Sequence, residues 1–390
     1  AVVVDGRKGP GPARSVRAYA RVLETDGDGL DITPKGRRNV SGTAPVRAIN
    51  GGVSLQVGRV SLVLDVVDYR HVYLIRDQDE VFEVLLESVD EFQLAYHDEM
   101  LALRADLGNL ALFRWSPYLY VQRYDDPGQY ADVDISSSLL LSKLGASTLE
   151  TTLTETEKHT ARYALGVEFQ AQPTIAHTTV GGLGMEAVQL VELKDLYFEN
   201  GSSAPRADTY RADPGVLYDT FAFAQHTWTA SHWVELTGGG RVDMRQSPTQ
   251  EAQATVSPRA GLLLVPSPGV SWKLLYGRAF RAPNVRELLV EPSDEWTAGN
   301  PNLDDELIDT VEVEWSAAPV ENLDTRAAAF HSWQQGLIDK VSNDKHPELG
   351  DTYYDNQDGA NVVGAEVEAE YSLGAWVVGG SYAYTHAVDL

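Results

Sequence analysis

From about residue 159 onward the chain is written in period two. In Trp233–Met244 the residues Glu235, Thr237, Arg241 and Asp243 fall on one parity and Val234, Leu236, Val242 and Met244 on the other, with Gly238, Gly239 and Gly240 between them. Tyr163, Leu165, Val167 and Phe169 alternate with Arg162, Glu168 and Gln170, and Val363, Val367 and Tyr371 alternate with Glu366, Glu368 and Glu370. Successive side chains leave opposite faces of a pleated strand, so this pattern specifies half-apolar β-strands and excludes amphipathic helices over the same span.

A sandwich and a barrel both use such strands, and the connections separate them. Short turns at Ser231-His232, Pro266-Ser267-Pro268-Gly269, Pro319-Val320-Glu321-Asn322 and Leu373-Gly374 alternate with longer polar links near 194–216, 283–305 and 342–360, and a shorter one near 245–253. Short turns on one side and long loops on the other are the pattern of an outer-membrane barrel. Trp228, Trp233, Trp272, Trp315 and Trp376 lie within a few residues of the short turns, where a ring of indoles suits a membrane interface. Upstream, Val53–Val57 and Arg59–Val67 read as a hairpin about Gly58, and Met100–Phe113 fits strand and helix alike.

Composition narrows the function classes. No run reaches the roughly 18 apolar residues of a spanning helix. The mean hydropathy of −0.25 is what alternating strands average to. With 31 Lys and Arg against 57 Asp and Glu, the net charge of −26 argues against nucleic acid and against an anionic leaflet. There is no cysteine, and the nine histidines show no metal-ligand spacing, so no metal or cofactor is expected. Asp26-Gly27-Asp28-Gly29-Leu30-Asp31 has the wrong spacing for an EF-hand and reads as a solvated turn. No nucleophile elbow or P-loop appears, and the chain is not expected to be an enzyme.

Two motifs then coincide. Tyr276-Gly277-Arg278-Ala279-Phe280-Arg281-Ala282-Pro283, with Glu287-Leu288 after it, is followed by Gly299-Asn300-Pro301-Asn302-Leu303. This pair resembles the segment by which TonB-dependent outer-membrane receptors are recognised. The likeness runs from about Tyr218 to Tyr384 through Tyr218–Trp228, Leu236–Asp243, Thr310–Trp315 and Gly364–Tyr371. The resemblance implies an all-β fold: an antiparallel up-and-down transmembrane β-barrel, here an incomplete one from a barrel of twenty-two strands. Residues 1–390 then form one barrel domain, its part before residue 159 carrying no motif, read as an internal piece without the family's N-terminal plug or last strands.

The function implied is uptake of a scarce bulky nutrient, such as a ferric siderophore or cobalamin, in the bacterial outer membrane. Its partners are the TonB complex, reached through the plug domain, a small-molecule or metal-chelate ligand, and outer-membrane lipid. A general diffusion porin is the alternative, and porins lack the motif pair. Arg278, Phe280, Arg281, Pro283, Glu287, Asn300, Pro301 and Asn302 are the family signature, and its charges, Arg286 among them, are expected to brace loops. Tyr197, Phe198, Trp296, Tyr353 and Tyr354 are the loop aromatics placed to touch a ligand. Alternation assigns Val234, Leu236, Val242, Trp272, Leu274, Tyr276, Val311, Val313 and Trp315 to the lipid face, and Glu235, Arg241, Lys273, Glu312 and Glu314 to the lumen.

Overall fold

The computed structural model describes residues 2–5, 14–25, 46–72, 93–109, 112–133, 151–199, 210–212, 214–292, 297–342 and 351–389. These residues are almost entirely strand. In chain order they are β1 (Val2–Asp5), β2 (Arg14–Thr25), β3 (Val46–Val57), β4 (Val60–Val72), β5 (Gln93–Ala105), β6 (Leu107–Asn109), β7 (Phe113–Val133), β8 (Thr151–Thr174) and β9 (His177–Glu199). Then follow β10 (Tyr210–Arg211), β11 (Gly215–Ser231), β12 (Val234–Gln246), β13 (Gln253–Ser267), β14 (Val270–Arg281), β15 (Glu306–Val320), β16 (Leu323–Ser342), β17 (Thr352–Leu373) and β18 (Trp376–Asp389). One short helix, α1 (Val285–Leu289), sits between β14 and β15.

Pairing is antiparallel and follows chain order. β1 through β5 pair in succession and β5 pairs with β7. From β11 to β18 every strand pairs with the next. The hairpin about Gly58 forms between β3 and β4, and Met100–Ala105 is strand, as family context suggests. The short turns are tight because their residues reach the left-handed region: Gly269 has φ 77°, and Asn322, the one described non-glycine residue there, has φ 68°.

The chain forms two compact units: Ala1–Ala105, Tyr118–Ala164 and Ala187–Val216 in the first, Asp106–Pro117, Leu165–Glu186 and Leu217–Leu390 in the second. Register makes each unit two-faced. In the second, Val234, Leu264, Trp272, Trp315 and Ala327 stand in one cross-strand row, and Leu236, Leu262, Leu274 and Val313 in the next. Glu235, Leu263, Lys273 and Glu314 form a row of the other face, with Thr237, Gly261, Leu275 and Glu312 beside it. The two sets read from alternation therefore segregate without a crossing. Leu236, Val242, Trp272, Leu274 and Val313 are all exposed on the apolar face, while the Lys273 ammonium meets Glu314 at 2.7 Å on the polar one.

The first unit repeats the scheme. Val53, Leu64 and Leu101 share a row of exposed apolar residues, and Leu55, Leu62, Leu103 and Leu119 form another in which only Leu62 is half-buried. The opposite face carries Tyr19, whose hydroxyl donates to Asp65 at 2.6 Å across the intervening Gly52. Trp228, Trp272, Trp315 and Trp376 share the apolar face near the short turns, Trp272 and Trp315 with centroids 6.3 Å apart. Aromatic rings also lie over glycines: Phe330 stands opposite Gly364, where an added Cβ would come within 2.3 Å of the ring.

Several strands are longer than the alternation suggests. β9 runs through Glu199, so Tyr197 and Phe198 are strand residues rather than members of a 194–216 loop, and β17 begins at Thr352, which shortens the 342–360 link. About nine to eleven residues suffice to span a bilayer. β8 has 24 residues and β17 has 22, so the ladder continues past the apolar band, where polar residues leave no hydrophobic alternation to read. Because Val313 sits mid-strand on the apolar face, Val313→Arg should cost about 2–4 kcal/mol in urea unfolding from lipid vesicles, whereas Thr237→Arg on the polar face should stay within about 0.5 kcal/mol.

Candidate functional site

At the loop-side end of the second unit, the motif pair folds into a clasp. Pro283 fixes its own backbone and ends β14. Asn284 then caps α1, its Oδ1 accepting from the backbone N–H groups of Arg286 at 2.9 Å and Glu287 at 3.1 Å. Glu287 closes the capping box by accepting from the Asn284 N–H at 2.7 Å. A helix of five residues is too short to stand alone, so its stability comes from what it is fastened to.

Arg281 is the fastener. Its Nη1 donates to both oxygens of Glu287 at 3.0 Å, and its Nε and Nη2 donate to the two oxygens of Glu306 at 2.6 Å. Glu306 also accepts the Ile338 N–H at 2.7 Å, so one guanidinium ties α1, β14, β15 and β16 together. At this end, beyond the spanning part of the strands, the Arg281 fork holds the Glu306 carboxyl below its ordinary value, outweighing burial, which pushes it up. Stability from the pair is thus present above the ordinary glutamate value and drains away as pH falls through the lowered one.

The second motif closes the clasp from the other side. Gly299 N–H donates to Val290 O at 3.0 Å and Asn300 N–H to Glu287 O at 2.7 Å. An added Cβ on Gly299 would lie 2.7 Å from the Val290 nitrogen, so only glycine allows that approach. Asn300 Nδ2 donates to Tyr354 O at 3.0 Å, its Oδ1 accepts from Asn302 N–H at 2.9 Å, and Ala298 bridges Tyr353 in parallel. Leu288, Val290, Ala298 and Leu303 are buried beneath, together with Glu287 and Asn300.

Phe280 lies under the Arg245 guanidinium, 4.7 Å from centroid to charge, and Arg245 reaches Asp305, which also bonds Thr255. Arg278 grips Asp309 with three contacts of 2.9–3.1 Å, joined by the Tyr276 hydroxyl at 2.7 Å. Pro301 occupies the turn after Asn300. The signature charges Arg278, Arg281 and Glu287 thus meet protein partners.

Of the loop aromatics, Tyr353 is 5% exposed and packs inside the clasp, and Tyr354 is half-buried beside it. Trp296 lies outside the described residues, as do the side chains of Tyr197 and Phe198 and the Asp26–Asp31 turn.

Sequence reading alone misses a second arrangement, on the polar face of the first unit. Tyr69 and Tyr96 stack with centroids 4.9 Å apart, and Tyr96 and Tyr124 at 6.0 Å. Lys158 stands over Tyr124 at 5.6 Å and Arg162 over Tyr120 at 5.5 Å. Tyr120 donates to Gln122 at 2.6 Å, and Gln122 donates to Asp98 at 2.8 and 2.9 Å. Tyr69, Tyr96 and Tyr124 come from three different strands, so only the register brings them together. Among the described residues no group of three or more His, Asp or Glu is placed to hold a metal.

A family model described as TonB dependent receptor-like, beta-barrel matches residues 73–390, reaching well upstream of the motifs. No curated protein matches the chain. Among solved structures, the copper transporter OprC aligns at 16% identity with a TM-score of 0.68, over 98% of this chain and 58% of its own. The ferric-catecholate import receptor Fiu from K12 E. coli aligns at 13% identity and 0.65, over 99% of this chain and 62% of its own. The pyoverdine receptor FpvA from Pseudomonas aeruginosa PAO1 aligns at 12% and 0.68, over 99% and 59%. At these identities the likeness is one of fold, an antiparallel β-barrel, and the chain spans about three-fifths of those structures.

Arg281→Ala leaves Glu287 buried without its cation. Discounted for the partial exposure of the guanidinium, the cost should be about 1–3 kcal/mol in urea unfolding, with Arg281→Lys recovering little because one ammonium does not serve two carboxylates. Unchanged stability in Arg281→Ala would show that the clasp holds without its fastener.

Proposed function

Since this chain belongs to the TonB-dependent receptor-like β-barrel family, we propose that it forms the wall and loop platform of a bacterial outer-membrane receptor for a scarce bulky nutrient, a ferric siderophore or cobalamin. Uptake is driven by the TonB complex through a plug domain. The chain does no covalent chemistry: it excludes lipid with one face and presents ligand-binding groups with the other.

The observation that carries this reading is the ladder of Tyr69, Tyr96 and Tyr124 with Lys158 against it. Half-buried rings held by their neighbours offer flat apolar area at little entropic cost, and a cation beside them favours an anionic partner. A bulky chelate that is both aromatic and anionic meets both demands. Tyr354, at the clasp, is the second candidate contact, while the burial of Tyr353 assigns it to packing. A diffusion porin, the alternative, lacks the pair of motifs from which the clasp is built, Tyr276–Pro283 and Gly299–Leu303. Two of the similar structures are a ferric-catecholate import receptor and a pyoverdine receptor, which supports the siderophore class.

Equilibrium binding of a panel of ferric siderophores and cobalamin to the protein purified from outer membranes tests this. Tyr96→Ala and Lys158→Ala should each weaken the bound ligand about tenfold, the size of one lost stacking or cation–π contact. Equal affinity in wild type and both variants would remove the ladder from the binding site.

A further inference from the structure

At the short-turn end of β9 and β11, one polar cluster interrupts the apolar face. His226 lies in the row of Gly238, Ala260 and Tyr276, two residues above Trp228 and Leu236, and therefore on the face that meets lipid. His177 Nδ1 stands 3.1 Å from His226 Nε2, and His226 Nδ1 stands 2.8 Å from Thr179 Oγ1. The His177 ring also stacks on Trp228, nearly coplanar at 5° with centroids 6.1 Å apart. Neither the clasp, at the opposite strand ends, nor the tyrosine ladder of the first unit uses these groups.

A neutral imidazole has one N–H, so the two contacts of His226 run in one direction or the other. In one arrangement Thr179 donates to His226, His226 donates to His177, and His177 Nε2 carries its N–H on the far side of the ring. In that arrangement the open end of the relay is His177 Nε2–H, unpartnered among the described residues and held beside the Trp228 ring.

We propose that this relay binds the phosphodiester headgroup of a membrane glycerophospholipid, in the leaflet at the short-turn side, with His177 Nε2 donating to a phosphate oxygen. Among the described residues, those at 170–176 at the end of β8 include no carboxylate, and on β12 the side chain of Glu235 lies on the other face, accepting from Thr229 at 3.3 Å. An N–H donor facing outward at this depth needs an acceptor, and the headgroup phosphate is the acceptor a bilayer supplies there. Further along β9 on the same face, Leu183 and Met185 are 60% and 41% exposed and offer apolar flanks to an acyl chain. Opposite His226, an added Cβ on Gly238 would meet nothing within 4 Å, which leaves a shallow space beside the relay. A free phosphate in water has no use for those apolar flanks.

Native mass spectrometry of the detergent-purified protein, titrated with phosphatidylglycerol, reads the site directly. The wild type should retain one phospholipid that His177→Phe and His226→Phe hold about tenfold more weakly, the size of one charge-assisted hydrogen bond. His177→Arg, which keeps an outward N–H donor, should retain it, and His226→Gln, which breaks the relay in a polar side chain, should lose it even where a phenylalanine disturbs folding. Heat-modifiable gel mobility confirms the fold of each variant. Equal retention in all variants overturns the proposal, and so does displacement of the lipid by excess inorganic phosphate alone, which would mark a site for the free anion.

Discussion

A backbone amide in hydrocarbon has no water to turn to, so every N–H and C=O that crosses a membrane must find its mate within the protein. That requirement dictates the antiparallel ladder running from β11 to β18 in chain order. Once the ladder is fixed, register is fixed, and a slip of one residue would send every charge of a strand into lipid. The rows of Trp272 with Trp315 and of Lys273 with Glu314 are adjacent along the same two strands, yet they serve opposite solvents. Both faces thus follow from one bonding rule.

Function is built where the ladder outruns the membrane. Beyond the apolar band the strands continue as polar ribbons, and loops can be tied to them. Arg281 spans two carboxylates because its planar fork offers paired donors on two edges, and the capping box lets Glu287 serve a helix and an ion pair at once. The clasp turns a long link into a packed cover over Leu303 and Ala298. Rigid strand ends hold groups such as the tyrosine ladder at fixed spacing, and the proposed ligand contact would draw on that preorganisation.

Strand identity and face were legible because alternation is a local property: Val234–Met244 declares its two sets with no knowledge of its neighbours. The clasp was legible in part. Its residues form a motif pair, but the bond from Asn300 to Tyr354 joins positions 54 apart that no local rule connects. Strand length was not legible, since polar residues beyond the membrane show no hydrophobic period, and Tyr197 and Phe198 were assigned to a loop for that reason. The tyrosine ladder and the histidine relay depend on register between strands. Tyr69, Tyr96 and Tyr124 become neighbours only once Tyr69 pairs with Tyr96 and Asp98 with Tyr124.

The most direct test of the account is spin-label accessibility measured residue by residue along β14 in lipid vesicles. Labels at Trp272, Leu274 and Tyr276 should show high collision rates with oxygen and low rates with a water-soluble nickel chelate. Labels at Ser271, Lys273 and Leu275 should show the reverse, giving two period-two waves out of phase. Waves in phase, or a period near that of a helix, would contradict the two-faced sheet on which every other conclusion rests.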